Sequence, residues 1–194
     1  MDRRKPLAAM LHAYQPVDAQ ESDHRARMLA LLATAGDSCA RDHFAPGHFT
    51  ASAFVLSPDA RGLLLIHHSK LDRWLQPGGH VEPGDADLLA AARRELHEEV
   101  GLRDLALELP GVLDLDVHAI APRAGEPAHQ HFDVRFLFRA DSYELLAGSD
   151  AKAARWFELS CIDELQADRS VMRAVKKLLH LARPGARPGG PVPR

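Results

Sequence analysis

The sequence predicts an α/β fold that is preceded by a helical extension. Three observations support this prediction. Apolar residues recur at helical spacing near both ends of the chain, β-rich runs separated by turn residues fill the middle, and one helix divides the early strands from the later ones. The pattern divides the chain into an N-terminal helical extension (1–45), a main domain (46–183) and a disordered tail (184–194).

The extension is expected to form two helices. Leu7 and Leu11 belong to the short apolar face of the first helix. Asp18 is a suitable N-cap for the second helix, which is expected to stop at Gly36. Residues 37–47 are then expected to form a loop that leads into the main domain.

The main domain begins with two β-rich runs, residues 48–57 and 62–69, joined by a good hairpin loop. The turn Pro77–Gly79 precedes a helix that Asp85 or Asp87 can cap and that ends at Gly101. Later segments predict three more strands, a short helix and a longer closing helix: 111–121, 129–140, 154–159, 160–168 and 170–183.

Composition limits the function classes and the partners. A net charge of −3 gives no electrostatic reason to expect nucleic acid or an anionic membrane as the main partner. The N-terminus is a poor signal peptide, and no run of about 18 apolar residues predicts a membrane span. Two cysteines, far apart in the chain, favour a reduced, cytoplasmic setting.

The segment Pro77–Leu102 is the one that indicates a chemistry. On its helix, Glu95, Glu98 and Glu99 fall within an arc of about 100°, on a different side from the apolar residues. Magnesium prefers hard oxygen ligands such as these carboxylates together with substrate phosphate oxygens. A cluster of this kind is more often a solvated helix face, but the preceding glycine turn favours a metal site that holds a diphosphate.

This segment resembles the Nudix box, G-x5-E-x7-R-E-U-x-E-E-x-G-U, in which U is a bulky aliphatic residue. The second half of the box, from Arg94 to Leu102, matches at every fixed position. The first half departs from the pattern in two ways. Counting from Gly79, the expected glutamate is Asp85, and eight residues instead of seven separate Asp85 from Arg94. A one-residue extension can be absorbed before the helix, but it leaves the role of Asp85 open.

The resemblance implies an α/β/α sandwich with a mixed sheet and a Mg²⁺ (or Mn²⁺) cofactor. Glu95 and Glu99 would be the main metal ligands, with Glu98 as a third ligand or a base, and the backbone of Gly79 could add a carbonyl ligand. Arg94 would hold one of the glutamates by a charge-assisted hydrogen bond. The general base could also come from outside the box, where the candidates are Glu144 and Asp150.

Substrate contacts are expected next to the box and on one later strand. In residues 129–138 apolar and polar side chains alternate, so His129, His131 and Arg135 share one face. These residues and His80 would suit phosphate. The strand could equally present this face to solvent.

The function implied by the resemblance is hydrolysis of a diphosphate linkage in a nucleoside diphosphate derivative. A catalytically weak nucleotide-binding sensor is the alternative, motivated by the altered first half of the box. An isopentenyl diphosphate isomerase is disfavoured, because neither Cys39 nor Cys161 lies where that family places its cysteine. The N-terminal helices could shape the pocket, cover it or support a homodimer.

Overall fold

The computed structural model describes residues 3–69, 71–103, 105–146, 151–165 and 169–181. The predicted tail and Asp150 lie outside these residues. The described residues form four α-helices, eight strands and one 3-10 helix. In chain order these are α1 (Arg4–Ala13), α2 (Ala19–Leu32), β1 (Gly47–Leu56), β2 (Gly62–His68), β3 (Arg73–Leu75), β4 (Gly78–His80), α3 (Leu88–Val100), β5 (Leu105–Leu107), β6 (Asp114–Ile120), β7 (His129–Ala140), β8 (Ala151–Glu158), a 3-10 helix (Leu159–Leu165) and α4 (Arg169–Leu181).

All eight strands belong to one mixed sheet. Its main path runs β3-β2-β1-β7-β5, while β4 pairs with β1, β6 with β7 and β8 with β2. The pairing of β1 with β7 is parallel over the whole of β1, and the other pairings are antiparallel. The predicted hairpin of β1 and β2 is therefore brief: the two strands meet at Leu56 and Leu63 and then take different partners.

Helices cover both faces of this sheet, which gives the three layers that the resemblance implied. On one face, α1, α2 and α3 pack against alternate residues of β1 and β7, among them Ala51 and Val134. On the other face, α4 and the 3-10 helix pack against Phe54 and Leu137. Because successive strand residues point to opposite faces, β1 and β7 each contribute to both cores.

The N-terminal extension is part of the packed structure. Asp18 caps α2 by accepting a hydrogen bond from Glu21 N at 2.8 Å, as predicted, although α2 ends at Leu32, before Gly36. The buried carboxylate of Glu21 accepts hydrogen bonds from Tyr14 Oη and Val17 N and pairs with Lys177 of α4. A buried charge is tolerated only when it is paired and hydrogen-bonded, so this contact fixes the extension to the rest of the fold.

Three short strands, β3, β4 and β5, were not predicted from the sequence. Each has only three residues, too few to show an alternating pattern. The difference matters most for β4, because Gly78 and Gly79 were expected to form a turn. They pair instead with Ser52 and Ala51 of β1, so the segment before α3 is held by the sheet.

Within the described residues, no helix is long and apolar enough to cross a membrane.

Candidate active site

Helix α3 positions the carboxylates of the candidate site. Asp87, rather than Asp85, caps the helix by accepting a hydrogen bond from Ala90 N at 2.8 Å. The helix ends at Gly101, whose φ of 74° is the left-handed conformation that favours glycine at this position. Its buried apolar residues are Leu88, Ala91, Ala92, Leu96 and Val100. They fix which side of α3 packs on the sheet.

Strand β4 brings two glycines directly against these carboxylates. A Cβ atom on Gly79 would lie 2.4 Å from Glu95 Oε1, so a side chain there would displace the carboxylate. Gly78 N donates a hydrogen bond to Glu99 Oε2 at 3.0 Å, and Gly78 has a φ of 154°. The glycines predicted to admit a close backbone approach therefore do so at Glu95 and Glu99.

Arg94 is the centre of the charge network at the site. Its guanidinium donates hydrogen bonds to Glu95 Oε1 and Glu98 Oε2, both at 3.0 Å, and to His80 O at 2.7 Å. It also pairs with the Asp85 carboxylate at 3.1 Å. One planar group with several fixed donors can thus orient two glutamates and the end of β4 at once.

Asp85, the departure from the box pattern, has a defined role in this network. Its carboxylate is buried, accepts a hydrogen bond from Glu82 N at 2.8 Å and binds Arg94 through both oxygens. The extra residue is accommodated before α3 begins, so the spacing from Arg94 to Gly101 is unaffected. Asp85 therefore positions Arg94 across the lengthened loop.

The N-terminal extension also holds this loop. Arg3 donates hydrogen bonds to the carbonyl oxygens of Glu82, Pro83 and Asp85 at 2.7, 2.9 and 2.9 Å. A single side chain at the start of α1 thereby satisfies three backbone acceptors of the box loop. The extension is thus a neighbour of the candidate site.

The electrostatics of the carboxylates fit a divalent cation. Burial raises the pKa of Glu95, and the charges of Glu98 and Glu82 add to this effect while Arg94 opposes it. Although burial opposes the charge of Arg94, its bonds to Asp85 and Glu95 raise its pKa, so it stays protonated. Crowded carboxylates with one shared counter-charge form the hard, anionic donor set that Mg²⁺ or Mn²⁺ prefers.

The candidates for a general base lie in different environments. The side chain of Glu98 is 53% exposed and is held by Arg94. Glu144 is exposed on a segment whose Leu146 N donates to Val100 O at 3.0 Å, which places that segment at the C-terminal end of α3. The third candidate, Asp150, lies outside the described residues.

The polar face of β7 is largely enclosed. Arg135 is 1% exposed, and its guanidinium pairs with Asp114, Asp116 and Asp133 at 2.8 to 3.2 Å. Ser170 O of α4 accepts another of its hydrogen bonds. A substrate contact needs an accessible group, whereas the structure gives Arg135 a buried position with its donors bonded inside the protein.

The predicted substrate histidines lie together on this face, in a cluster that sequence reasoning did not foresee. The rings of His48, His80 and His131 lie 4.9 to 5.1 Å apart, and His129 stacks on His48 at 5.1 Å. Burial lowers the pKa of His48 and of His80 to about 4 and that of His131 to about 2, so these three rings are neutral near pH 7.

Sequence reasoning did not assign His48 any role. The alternation of β1 places it on the same face as Thr50 and Ser52, but only the parallel pairing with β7 sets it beside His131. Nothing local in the sequence specifies that pairing, because it joins segments far apart in the chain.

A cleft of about 970 Å³ adjoins the box loop. Arg3 and the loop after α2 form one side, and the residues following Gly79 form another. Among the residues that line it are two cations, an aromatic ring, an imidazole and four carboxylates: Arg3, Arg41, Phe44, His80, Asp37, Asp42, Glu82 and Glu126. This polar and aromatic lining is suited to a charged small molecule.

Comparison with known proteins places most of the chain in one family. A family model described as NUDIX domain matches residues 46–179. A solved NUDIX-family hydrolase from Clostridium perfringens shares the fold with a TM-score of 0.53 and 24% identity, over 69% of this chain and 97% of its own.

Two curated relatives match shorter segments. One, from Lactococcus lactis subsp. cremoris, is named "Probable DHNTP pyrophosphohydrolase" and is 34% identical over 97 residues, 49% of this chain and 55% of the relative. The other is an isopentenyl-diphosphate Delta-isomerase from Streptomyces griseus subsp. griseus, 37% identical over 78 residues, 37% of this chain and 39% of the relative. The matches thus span about half or less of the length of these relatives.

Proposed function

The chain belongs to the NUDIX domain family, and we propose that it is a divalent-metal-dependent hydrolase that cleaves a diphosphate linkage in a nucleoside diphosphate derivative. Its enzyme class is that of a Nudix pyrophosphohydrolase. One observation supports the proposal most strongly. Glu95 and Glu99 contact the glycines of β4, and Arg94 donates hydrogen bonds to both Glu95 and Glu98.

The proposed cation is Mg²⁺ or Mn²⁺. Glu95 and Glu99 would hold it, with Glu98 as a third ligand or as the base, and with the carbonyl of Gly79 as a further ligand. When bound, such a cation offsets the charge of a diphosphate and lowers the pKa of a coordinated water. Arg94 keeps two of the carboxylates in place, and Gly78 N–H keeps the third. Carboxylates that are already oriented need little reorganisation during the reaction.

In the proposed reaction, water attacks one phosphorus and the bond to the bridging oxygen breaks. The products are a nucleoside monophosphate and a phosphorylated second moiety, or pyrophosphate when the substrate is a triphosphate. A carboxylate accepts the proton of the attacking water, and Glu98 and Glu144 are the described candidates. Separate Glu98→Gln and Glu144→Gln variants would distinguish them, because only loss of the true base removes the acidic limb of the kcat–pH profile.

The cleft beside the box loop is the proposed site for the rest of the substrate. Phe44 offers a ring for stacking on a base, and Arg3 and Arg41 offer positive charge. Of the predicted substrate histidines, His80 borders the cleft, whereas His129 is buried. Because the extension forms part of this cleft, we expect it to influence substrate choice.

A substrate screen with and without a metal tests the proposal. The full chain would be incubated with Mg²⁺ or Mn²⁺ and nucleoside diphosphate sugars, ADP-ribose, dinucleoside polyphosphates, CDP-alcohols, coenzyme A, (d)NTPs and DHNTP, and phosphate would be measured after phosphatase treatment. Glu99→Gln is expected to lower metal-dependent turnover by at least about 100-fold, since loss of even an outer-shell partner costs about 10–100-fold. Glu158→Gln, an exposed glutamate outside the site, is the matched control.

Two other outcomes would indicate a different function. Nucleotide binding without metal and without turnover would indicate a sensor module instead of an enzyme. The isomerase relative motivates a second assay, in which isopentenyl diphosphate is followed by NMR. We expect no isomerisation: burial raises the pKa of Cys39 to about 11, so its thiol stays protonated near pH 7. The predicted cytoplasmic setting and homodimer stay predictions.

A further inference from the structure

The pairing of three strands brings together three histidines that are far apart in the sequence. The parallel pairing of β1 and β7 sets His48 opposite His131, and the antiparallel pairing of β1 and β4 sets His80 opposite Thr50. All three side chains point to the face of the sheet that Thr50 shares, where Thr50 Oγ1 donates to Asp133 Oδ1 at 3.1 Å.

This face is opposite to the one that carries the box glutamates. Gly79 pairs with Ala51, which packs in the core beneath α3, and its absent Cβ would point at Glu95. His80 is the next residue along β4, so its side chain projects through the other face of the sheet. The imidazole cluster is therefore separated from the carboxylate cluster by the sheet itself.

The geometry of the three rings suits a metal ion. One nitrogen from each of His48, His80 and His131 lies within 4.8 Å of the other two. Tetrahedral Zn²⁺ with bonds of about 2.0–2.1 Å places its nitrogen ligands about 3.4 Å apart. Small side-chain rotations that bring these nitrogens closer by at most about 1.4 Å would complete this arrangement, and no change of strand pairing is needed.

A second observation points to a ligand at this place. His48 is 1% exposed, and its Nε2 has no hydrogen-bond partner among the described residues; the same is true of the buried Nε2 of His131. His48 Nδ1 donates to His43 O at 3.4 Å, which leaves the lone pair on Nε2. A buried polar atom without a partner costs about 1–3 kcal/mol, so two in one cluster need an explanation.

We propose that His48, His80 and His131 bind a transition-metal cation of the Zn²⁺ class, at a site distinct from the carboxylate site for Mg²⁺ or Mn²⁺. Imidazole nitrogens suit Zn²⁺ and similar cations, while Mg²⁺ selects oxygen ligands. Three protein ligands leave one coordination position for water. The cation joins β1, β4 and β7, and because β4 also carries Gly78 and Gly79, it stabilises the strand against which the glutamates rest.

The neighbouring groups support this assignment. His118 lies opposite His131 on β6, and its Nδ1 donates to the Asp116 carboxylate at 2.9 Å. This bond fixes the orientation of His118, which borders the three ligands without being one of them. Phosphate is a poorer occupant, because burial lowers the pKa of His48 to about 4 and so keeps its ring uncharged near pH 7.

The test is metal binding by the full-length, tag-free chain. Zn²⁺ affinity would be measured by competition with a chromophoric chelator in excess Mg²⁺, and Co²⁺ would be added separately to read its visible absorption. We expect one tight Zn²⁺ per chain and a Co²⁺ spectrum of low coordination number. His80→Gln and His131→Gln should each weaken Zn²⁺ binding by more than about 100-fold. His12→Gln, an exposed histidine on α1, is the matched control.

Glu99→Gln separates this proposal from the proposed function. It should abolish Mg²⁺-dependent turnover and leave Zn²⁺ affinity and the Co²⁺ spectrum unchanged. The proposal is overturned if the wild-type chain takes up no Zn²⁺, if the His80 and His131 variants keep wild-type affinity while circular dichroism shows them folded, or if Glu99→Gln removes the Zn²⁺. His80 is only half-buried, so His80→Gln gives an informative variant even if His131→Gln does not fold.

Discussion

Two clusters of side chains that can bind metal ions lie on opposite faces of β4. One consists of carboxylates from a helix and the other of imidazoles from strands, so they differ in charge and in the elements that supply them. Gly79 rests against Glu95, which shares one counter-charge, Arg94, with Glu98. His80, the next residue, joins imidazoles that burial keeps neutral. A three-residue strand therefore serves one cluster that favours hard cations and one that favours borderline cations. The contrast shows that alternation along a single strand can keep two chemistries apart.

The two clusters also differ in how the chain assembles them. The glutamates come from one helix and were identified from a local motif. The imidazoles come from three strands, and His48 and His131 are separated by 83 positions in the sequence. Helical periodicity is a local property, whereas strand register depends on which strands pair. A sequence motif can therefore predict a site formed by one helix, but it cannot predict a site that strand pairing assembles.

The largest expected effect on stability comes from replacing Arg135, whose side chain is buried on the histidine-bearing face of the sheet. Arg135→Met leaves the buried Asp133 without its cationic partner, whereas Asp114 and Asp116 keep their contacts with Arg173. Breaking a buried ion pair in this way costs about 3–5 kcal/mol. Urea unfolding should show that loss, while Mg²⁺ affinity of the folded protein should change little.

Arg139→Met is the control for that experiment. Arg139 lies on the same strand and pairs with Glu108, but both side chains are partly exposed, and such pairs contribute about 0–1 kcal/mol. Equal destabilisation by the two variants would contradict the buried role of Arg135. If a stable Arg135 variant bound substrate more weakly, that result would instead support the substrate contact that the sequence predicted for Arg135.

The parts of the fold that the sequence predicted are those with local signals. Asp18 and Gly101 mark helix ends as expected, and the two faces of β7 follow from its alternating residues. Apolar periodicity likewise identified α4. The missed strands, such as β4, are too short for a pattern and form only because β1 supplies their hydrogen bonds.

The same distinction holds for the candidate site. The glutamates and Arg94 were identified from residue spacing, but the role of Asp85 was open because spacing does not reveal a bond that crosses a loop. The burial of Arg135 was also beyond the sequence: alternation gave its face correctly, but whether that face meets solvent depends on α4, which packs over it through Ser170.

The carboxylate cluster can be disturbed selectively at β4. In Gly79→Ala the new Cβ would lie 2.4 Å from Glu95 Oε1, so the carboxylate or the strand must move. The clash costs at most about 1–3 kcal/mol, because the nearest atom is the end of a flexible side chain, but displacing that carboxylate should weaken Mg²⁺ binding and turnover. Gly84→Ala, in the same loop, places its Cβ where nothing lies within 4 Å. Calorimetric Mg²⁺ titrations of both variants check the contrast, and similar losses in the two would contradict it.

A smaller effect is expected from the residue that departs from the box. Asp85→Asn removes the charge that orients Arg94 but keeps the shape of the side chain. Loss of such a supporting partner lowers metal affinity or activity by about 10–100-fold. Glu82→Gln changes a carboxylate that is 61% exposed and 3.9 Å from Arg94, so it should have little effect. Equal kcat/KM values for Asp85→Asn and wild type would show that Asp85 does not position the site.

The pH dependence of stability provides the finest test, because the two clusters contribute with opposite signs. Burial lowers the pKa of His48 and His80 to about 4 and that of His131 to about 2. Below about pH 6.5, the pKa of a histidine in the unfolded state, the unfolded chain therefore binds protons on these histidines that the folded state does not bind. Stability is therefore lost as the pH falls from about 6.5 towards 4, by on the order of 1 kcal/mol per pH unit for each buried histidine.

Glu95 acts in the other direction, since burial raises its pKa and its ionisation costs stability as the pH rises. Urea unfolding of wild type and His131→Gln between pH 7 and 4 isolates the histidine contribution: the variant should show the shallower dependence, because one proton fewer distinguishes its folded and unfolded states. Zn²⁺ should steepen the wild-type dependence, because it binds neutral imidazole, while Mg²⁺ should not. Parallel pH curves for the two proteins would mean that His131 titrates normally in the folded protein and that the two faces of β4 are less different than their geometry indicates.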